Sequence, residues 1–289
     1  LTAGQTLVMG AVAYDPKVVT IWDGFRRWFA LRGLDFDYVL YSNYERQVED
    51  LLGGRIAAAW NSPLAWVRAR RLGQASGVGL TALAMRDTDC DLSSVVVVRA
   101  DSAITDVEGL RGAVVATGAV DSPQARLLPL HHLQRFGLVA GSDFAVRRFD
   151  VGVGLHGDHI GGERQAAAVL AAGDVDAACM IDANHLLFIR EGTLAPGSTR
   201  VLTQTGRYDH CNMTARTDAG PPAALDRFRD LLLAMDYGDP AVRPLLDLEG
   251  LKQWKPGRTT GYAALESAVD AFGFYAEEGM ITAGADYRP

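Results

Sequence analysis

At 289 residues, with 48% hydrophobic and 22% charged residues, the chain has room for two cores and is not composed like a disordered protein. It holds no run of 18 apolar residues, so no helical membrane span is expected. A formal net charge of −7 leaves no basic excess for a nucleic-acid partner.

Three cysteines (Cys90, Cys179 and Cys211) allow one pair and one free thiol, or three thiols, but no disulfide framework. Cys179 lies in the apolar run 177–181 and reads as a core residue. No cofactor is expected. The chain opens on Leu1, so a missing or processed amino terminus is expected.

In chain order, residues 5–13 read as a buried strand. Tyr14-Asp15-Pro16 opens a helix with Val19, Trp22, Phe25, Trp28 and Phe29 at helical spacing, ending at Gly33. A strand over 36–41 follows, then a helix capped by Asn43 and stopped at Gly53-Gly54. A strand over 56–60 ends on Asn61-Ser62-Pro63, where the next helix starts, and 77–85 is a fourth strand. The alternation predicts an α/β protein with mostly parallel sheets flanked by helices.

After 86–89 the pattern restarts. Strands are predicted over 92–99 and 113–117, with one short helical turn at 105–110 between them. The second strand leads into Asp121-Ser122-Pro123 and a helix to Gly137. A strand at 144–149 and a glycine-rich loop at 150–162 come next. Helix 163–172, strand 176–181 and a helix from Asp182 to near Gly192 then follow. Segments 200–205 and 210–215 read as strands returning to the first lobe, and 221–235, 240–248 and 262–275 as helices. The chain is therefore expected to form a discontinuous lobe, 1–88 plus 206–289, and a second lobe, 89–205. Hinge crossings are expected near 87–91 and 203–209.

Four helix starts, at Pro16, Pro63, Pro123 and Asp182, present free backbone N–H groups suited to a polar or anionic ligand. Candidate ligand contacts are Tyr14, Asp15, Asn61, Ser62, Thr117, Asp121, Ser122, Gln124, His156, Asp182, Asn184, His210 and Asn212. Asp121 is expected to cap its own helix; otherwise it would set a carboxylate beside any bound oxyanion. The segment from His156 to Glu163 places His156, Asp158 and His159 among three glycines, a weak metal candidate without standard ligand spacing, so no metal is expected. In Asp209-His210-Cys211-Asn212, neighbouring strand residues face opposite sides, so His210 and Cys211 are not expected to act as a pair.

Tyr44 to Trp60, then Asn61-Ser62-Pro63-Leu64-Ala65-Trp66, then Leu92 to Val98 with Ile104 to Gly112, come in an order that resembles the type II periplasmic solute-binding proteins. Within them the chain is similar to the phosphate/phosphite/phosphonate-binding group of ABC importers. Asn61-Ser62-Pro63 stands where that group has a Gly-Pro turn. Residues 117–124 stand where it has a Ser/Thr-rich turn for phosphonate oxygens.

The resemblance implies a two-lobed fold with an interlobe cleft. It implies a solute-binding component that traps a small polar or anionic solute by hinge closure. It further implies an ABC permease as partner and a periplasmic or lipid-anchored extracytoplasmic location. The alternative is a cytoplasmic enzyme on the same fold, a decarboxylase or dehydratase acting on a small carboxylic acid. Its catalytic candidates would be His210, Cys211, His156 and Asp158.

Overall fold

The computed structural model describes residues 6–157, 162–218 and 222–289. The first sheet collects β1 (Leu7–Val12), β2 (Phe36–Tyr41), β3 (Ala58–Asn61) and β4 (Leu80–Arg86). The second holds β5 (Ser94–Arg99), β6 (Val114–Thr117), β7 (Ala145–Arg148), β8 (Ala177–Ile181) and β9 (Thr199–Gln204). The chain then returns to the first sheet with β10 (Asn212–Arg216) and β11 (Trp254–Pro256). Strand order is β11-β4-β10-β3-β1-β2 in one sheet and β7-β6-β8-β5-β9 in the other.

Each sheet is parallel apart from intruding strands. In the first, β10 runs antiparallel between β3 and β4, and β11 antiparallel at the edge. In the second, β5 runs antiparallel between β8 and β9. Both intruders are the first strand after the chain changes sheet, so they enter from the side opposite to a βαβ crossover. This pattern is the mixed α/β, two-lobed architecture expected.

Helices cover both sheet faces because the strands are apolar on both sides. In β5, Val95 and Val97 join one core and Val96 and Val98 the other, as strand alternation requires. In the first lobe α1 (Lys17–Ala30) lays Val18, Ile21, Trp22, Phe25, Trp28 and Phe29 on the sheet. Phe29 meets Phe36 of β2 at 4.8 Å between ring centres and Phe228 of α7 (Pro222–Leu233) at 5.3 Å. On the opposite face, α2 (Tyr44–Leu52) and α3 (Pro63–Ser76) bury Val48, Leu51, Ala65 and Ala69. In the second lobe α4 (Leu128–Gln134) lies on one face and α5 (Glu163–Ala172) with α6 (Asp182–Glu191) on the other. Helix α8 (Arg243–Glu249) packs on α1. Helix α9 (Ala263–Ala271) joins Leu127 and Leu128 to Trp66 in an apolar junction between the lobes.

Four expectations need correction. Segment 200–205 does not return to the first lobe; as β9 it pairs with β5, leaving β10 as the returning strand. Residues 209–211 are irregular and the strand begins at Asn212, because this stretch is turned by the lobe crossing. The helix from Pro123 opens as a wide i→i+5 turn over 123–127, with Leu127 N donating to Ser122 O, before α4 begins. Strand β11 carries no alternating pattern in its three residues and escaped the reading of the sequence.

The three cysteines are unbridged thiols, with Cys179 and Cys211 buried. Among the described residues no helix is long and apolar enough to cross a membrane.

Candidate functional site

Ser62 and Ser122 occupy equivalent places, each the N-cap before a proline. Ser62 Oγ accepts from Ala65 N, and Ser122 Oγ from Ala125 N, both at 3.1 Å. Asp121 is therefore not the cap of its helix. Its Oδ2 accepts from Gly154 N at 2.7 Å and His156 N at 3.0 Å, and so ties the glycine-rich loop to the second lobe. Burial pushes the Asp121 carboxyl up, against the charge of His156 and these two N–H groups.

His156 itself is fixed between lobes. Its Nδ1 lies 2.5 Å from Ser62 Oγ, and its Nε2 lies 3.0 Å from the Tyr287 hydroxyl and 3.2 Å from Glu45 Oε1. The ring stacks on Tyr44 at 4.8 Å and 15°. Both nitrogens are engaged and the side chain is buried, so His156 is an interlobe connector and offers no free donor to a metal or a reaction. Asp158 and His159, its companions in the candidate metal loop, lie outside the described residues.

Glu45, which the sequence reading passed over, anchors this junction. It pairs with Arg68 at 2.7 Å and accepts from the hydroxyls of Tyr275 at 2.7 Å and Tyr287 at 2.6 Å. Burial works against its charge. The hydrogen bond and charge of His156, then Arg68 and Tyr287, outweigh it and hold the carboxyl at about 2.

Asn61 and Asn212 pair across β3 and β10 and are fully buried. Asn61 Nδ2 donates to Thr214 Oγ1, and Asn212 Nδ2 to the Tyr262 hydroxyl. Thr117, also buried, donates to Gly118 O. Each of the three is held by neighbours: Asn61 by Gln47 and Thr214, Asn212 by Tyr262 and Thr214, and Thr117 by Gly118 O and Arg126. Tyr14 packs beside the first core, and Asp15 is exposed, accepting from Lys17 N at 2.8 Å at the start of α1.

The remaining candidates converge. A cleft of about 270 Å³ is lined from the first lobe by Lys17, His210 and Glu249, from the crossing segment 87–91 by Asp89, and from the second lobe by Gln124 and Asn184. Gln124 Nε2 donates to Gly157 O at 2.6 Å, and its Oε1 faces His210 Nε2 at 3.4 Å across the junction. Asn184 Nδ2 donates to Glu163 Oε2 at 2.8 Å, and Ile181 N donates to the same oxygen. Among the described residues Glu163 Oε1 is buried with no hydrogen bond. Burial pushes the Glu163 carboxyl up; the neighbouring Asn184, Ile181 and Gln124 groups only partly oppose this. Asp182 stands beside the cleft wall, accepting from Ser93 Oγ and Ala183 N.

His210 and Cys211 do meet, contrary to the alternation argument, because no strand is formed there: Nδ1 lies 3.2 Å from Sγ. With Asp89 they form a buried trio of metal-capable groups within 4.8 Å. Both Asp89 oxygens are held by Arg86, at 2.5 and 3.0 Å, and a guanidinium in contact with the carboxylate repels a cation. The trio reads as an ion-pair network. Glu163, Asp89 and Lys17 were missed as site residues. An acid at a helix start has the pattern of a cap, and a charge beside a turn has the pattern of a solvated group, so neither stands out in the sequence.

Two sheets with a polar cleft between them, joined by two chain passages, define a solute-binding protein of the periplasmic type. The family described as "ABC transporter, phosphonate, periplasmic substrate-binding protein" matches residues 12–262, and the chain belongs to it.

Among solved structures the chain is similar to PhnD1 from Prochlorococcus marinus in complex with methylphosphonate, with 18% identity and a TM-score of 0.67 over 93% of this chain and 98% of that one. It is similar to XAC2383 from Xanthomonas citri bound to ATP, with 19% identity and a TM-score of 0.68 over 92% and 97%. It is also similar to the aliphatic sulphonate binding protein SsuA from Escherichia coli, with 18% identity and a TM-score of 0.57 over 93% and 92%. At these identities the neighbours establish the fold. The family is one of substrate-binding proteins, so the enzyme alternative gains no support.

Proposed function

We propose that the chain holds a small polar anion or zwitterion in the cleft between Lys17 and His210 on one side and Gln124 and Asn184 on the other. It would present the closed form to a membrane permease from an extracytoplasmic position. The carrying observation is the cleft itself, whose polar side chains come from both lobes. A ligand touching both walls binds the closed form better than the open one and shifts the equilibrium toward it. At about 270 Å³ the cleft lies near the lower end of the ~300–1,000 Å³ of ligand pockets, so a small solute fits. Lys17 and His210 would take the anionic end, and the amides of Gln124 and Asn184 would set orientation.

We also propose that passages 87–91 and 203–209 act as the hinge between lobe 1–88 plus 206–289 and lobe 89–205. Supporting this, Leu92 and Tyr208 exchange backbone hydrogen bonds, each at 2.8 Å, and thereby hold the two passages side by side.

The test is calorimetry and thermal shift with methylphosphonate, phosphate, alkanesulfonates and amino-acid zwitterions. A solute at 100 times its Kd stabilises the native form by about 2.7 kcal/mol. Gln124→Ala and Asn184→Ala should each weaken that solute at least tenfold. Binding that both substitutions leave unchanged would move the ligand out of this cleft.

A further inference from the structure

A second cavity, of about 380 Å³, shares no lining residue with the cleft. One wall is Val120, Arg126, Leu127 and Leu130 of the second lobe, and the other is the C-terminal segment with Phe272 and Phe274. Arg126 is half-buried, and its one hydrogen bond among the described residues is a long contact of 3.4 Å to Thr117 Oγ1. No carboxylate among the described residues pairs with it. Its neighbour Arg148 is doubly paired, with Asp150 at 2.7 Å and Asp286 at 3.1 Å. Among the described residues the cavity therefore holds one guanidinium with no direct carboxylate partner beside an apolar floor, supported only at longer range by Asp150 and Asp286, and a cation withdrawn from water without a close partner is costly. Burial first, and Arg148 second, act against the Arg126 charge.

We propose that this cavity binds a small organic monocarboxylate with an apolar, preferably aromatic, body. The planar guanidinium fork matches a carboxylate, and Leu127, Leu130, Phe272 and Phe274 would cover the hydrocarbon. A dianion such as phosphate is disfavoured, because Asp150 and Asp286 already neutralise Arg148 and would repel a second negative charge. Since the walls belong to the second lobe and the C-terminal segment, the bound acid joins the two and stabilises their contact.

The experiment is calorimetry of the full chain with benzoate and 3-phenylpropionate, against benzamide and inorganic phosphate. Saturable binding of the acids is expected, at least tenfold tighter than benzamide and phosphate. Arg126→Met should weaken it at least tenfold, and Gln124→Ala should leave it within twofold. Ala283→Leu, which fills the cavity and keeps every charge, should also abolish binding and guards against a folding defect in Arg126→Met. Equal affinity for benzoate and benzamide, absence of binding at millimolar acid, or binding that survives both cavity substitutions overturns the proposal. Loss in Gln124→Ala with retention in Arg126→Met also overturns it, by assigning the acid to the cleft.

Discussion

Asp209, on the second passage between the lobes, accepts the backbone N–H of Asp91 on the first, at 3.1 Å. The same carboxylate receives Arg258 through Nε at 2.7 Å and Nη2 at 2.5 Å, while Arg258 also reaches Asp91. One buried side chain thus clamps both passages from the C-terminal side. If the two passages act as the proposed hinge, this tie would limit sliding of one lobe past the other.

Asp209→Ala removes the clamp and leaves a partly exposed arginine that can rehydrate, so a cost of about 1–3 kcal/mol is expected by urea unfolding. Hydrogen exchange at the Leu92 and Tyr208 amides should accelerate more than exchange in β1. Unchanged protection there would show that the bridge between the passages stands without Asp209.

Acid sensitivity should centre on Glu45. Its folded carboxyl titrates at about 2, below its ordinary value of 4.5, so its contribution is present above the unfolded value and lost as pH falls toward 2. That gap corresponds to about 3 kcal/mol. Asp121 and Glu163, raised by burial, act in the opposite sense and gain stability on acidification. Comparison with Glu45→Gln isolates the term: the wild-type advantage should shrink between pH 5 and pH 2. An advantage independent of pH would mean that the charged contacts of Glu45 with His156 and Arg68 contribute little.

Much of this was legible because it is local. Ser-Pro after a strand marks a cap and a first helical residue, and α3 begins at Pro63 as that chemistry demands. The aromatic spacing of α1 and the valine run of β5 each predict burial correctly. Pairing was not legible. Nothing near 200–205 says whether that strand returns to the first sheet or stays beside β5, since both offer an apolar partner. His156 resembled a cleft ligand because glycines surround it. Its partners Ser62, Glu45 and Tyr287 lie 94, 111 and 131 positions away. Alternation failed at His210 and Cys211 because the rule holds for strands only.

Thiol chemistry gives a simple check on burial. Cys179 is fully buried and its thiol is pushed up to about 12 by that burial. Cys211 is buried against His210, whereas Cys90 is half-buried and donates to Arg86 O at 3.4 Å. Thiolate is the reactive form, so the folded chain should expose one slowly reacting thiol, Cys90, to an aromatic disulfide reagent. Denaturant should release all three. Rapid reaction of two or more thiols in native buffer would contradict the closed packing around β8 and the second passage.

Glu163 offers the sharpest test of the cleft wall. Its Oε2 is satisfied by Ile181 N and Asn184, while Oε1 lies buried with no hydrogen bond among the described residues. A carboxylate so placed is destabilising when ionised, and its raised folded value means that this cost applies above that value and is relieved as pH falls through it. Glu163→Gln keeps the shape and an acceptor for Asn184 while removing the charge. The variant should therefore match or exceed wild-type stability at pH 8, by about 1–2 kcal/mol, and lose that margin near pH 4. Urea unfolding at the two values of pH reads the difference directly. A variant less stable than wild type at pH 8 would show that the Glu163 charge is compensated in the free protein. A variant that is stable yet binds the cleft solute tenfold more weakly would place Oε1 opposite a donor on the ligand.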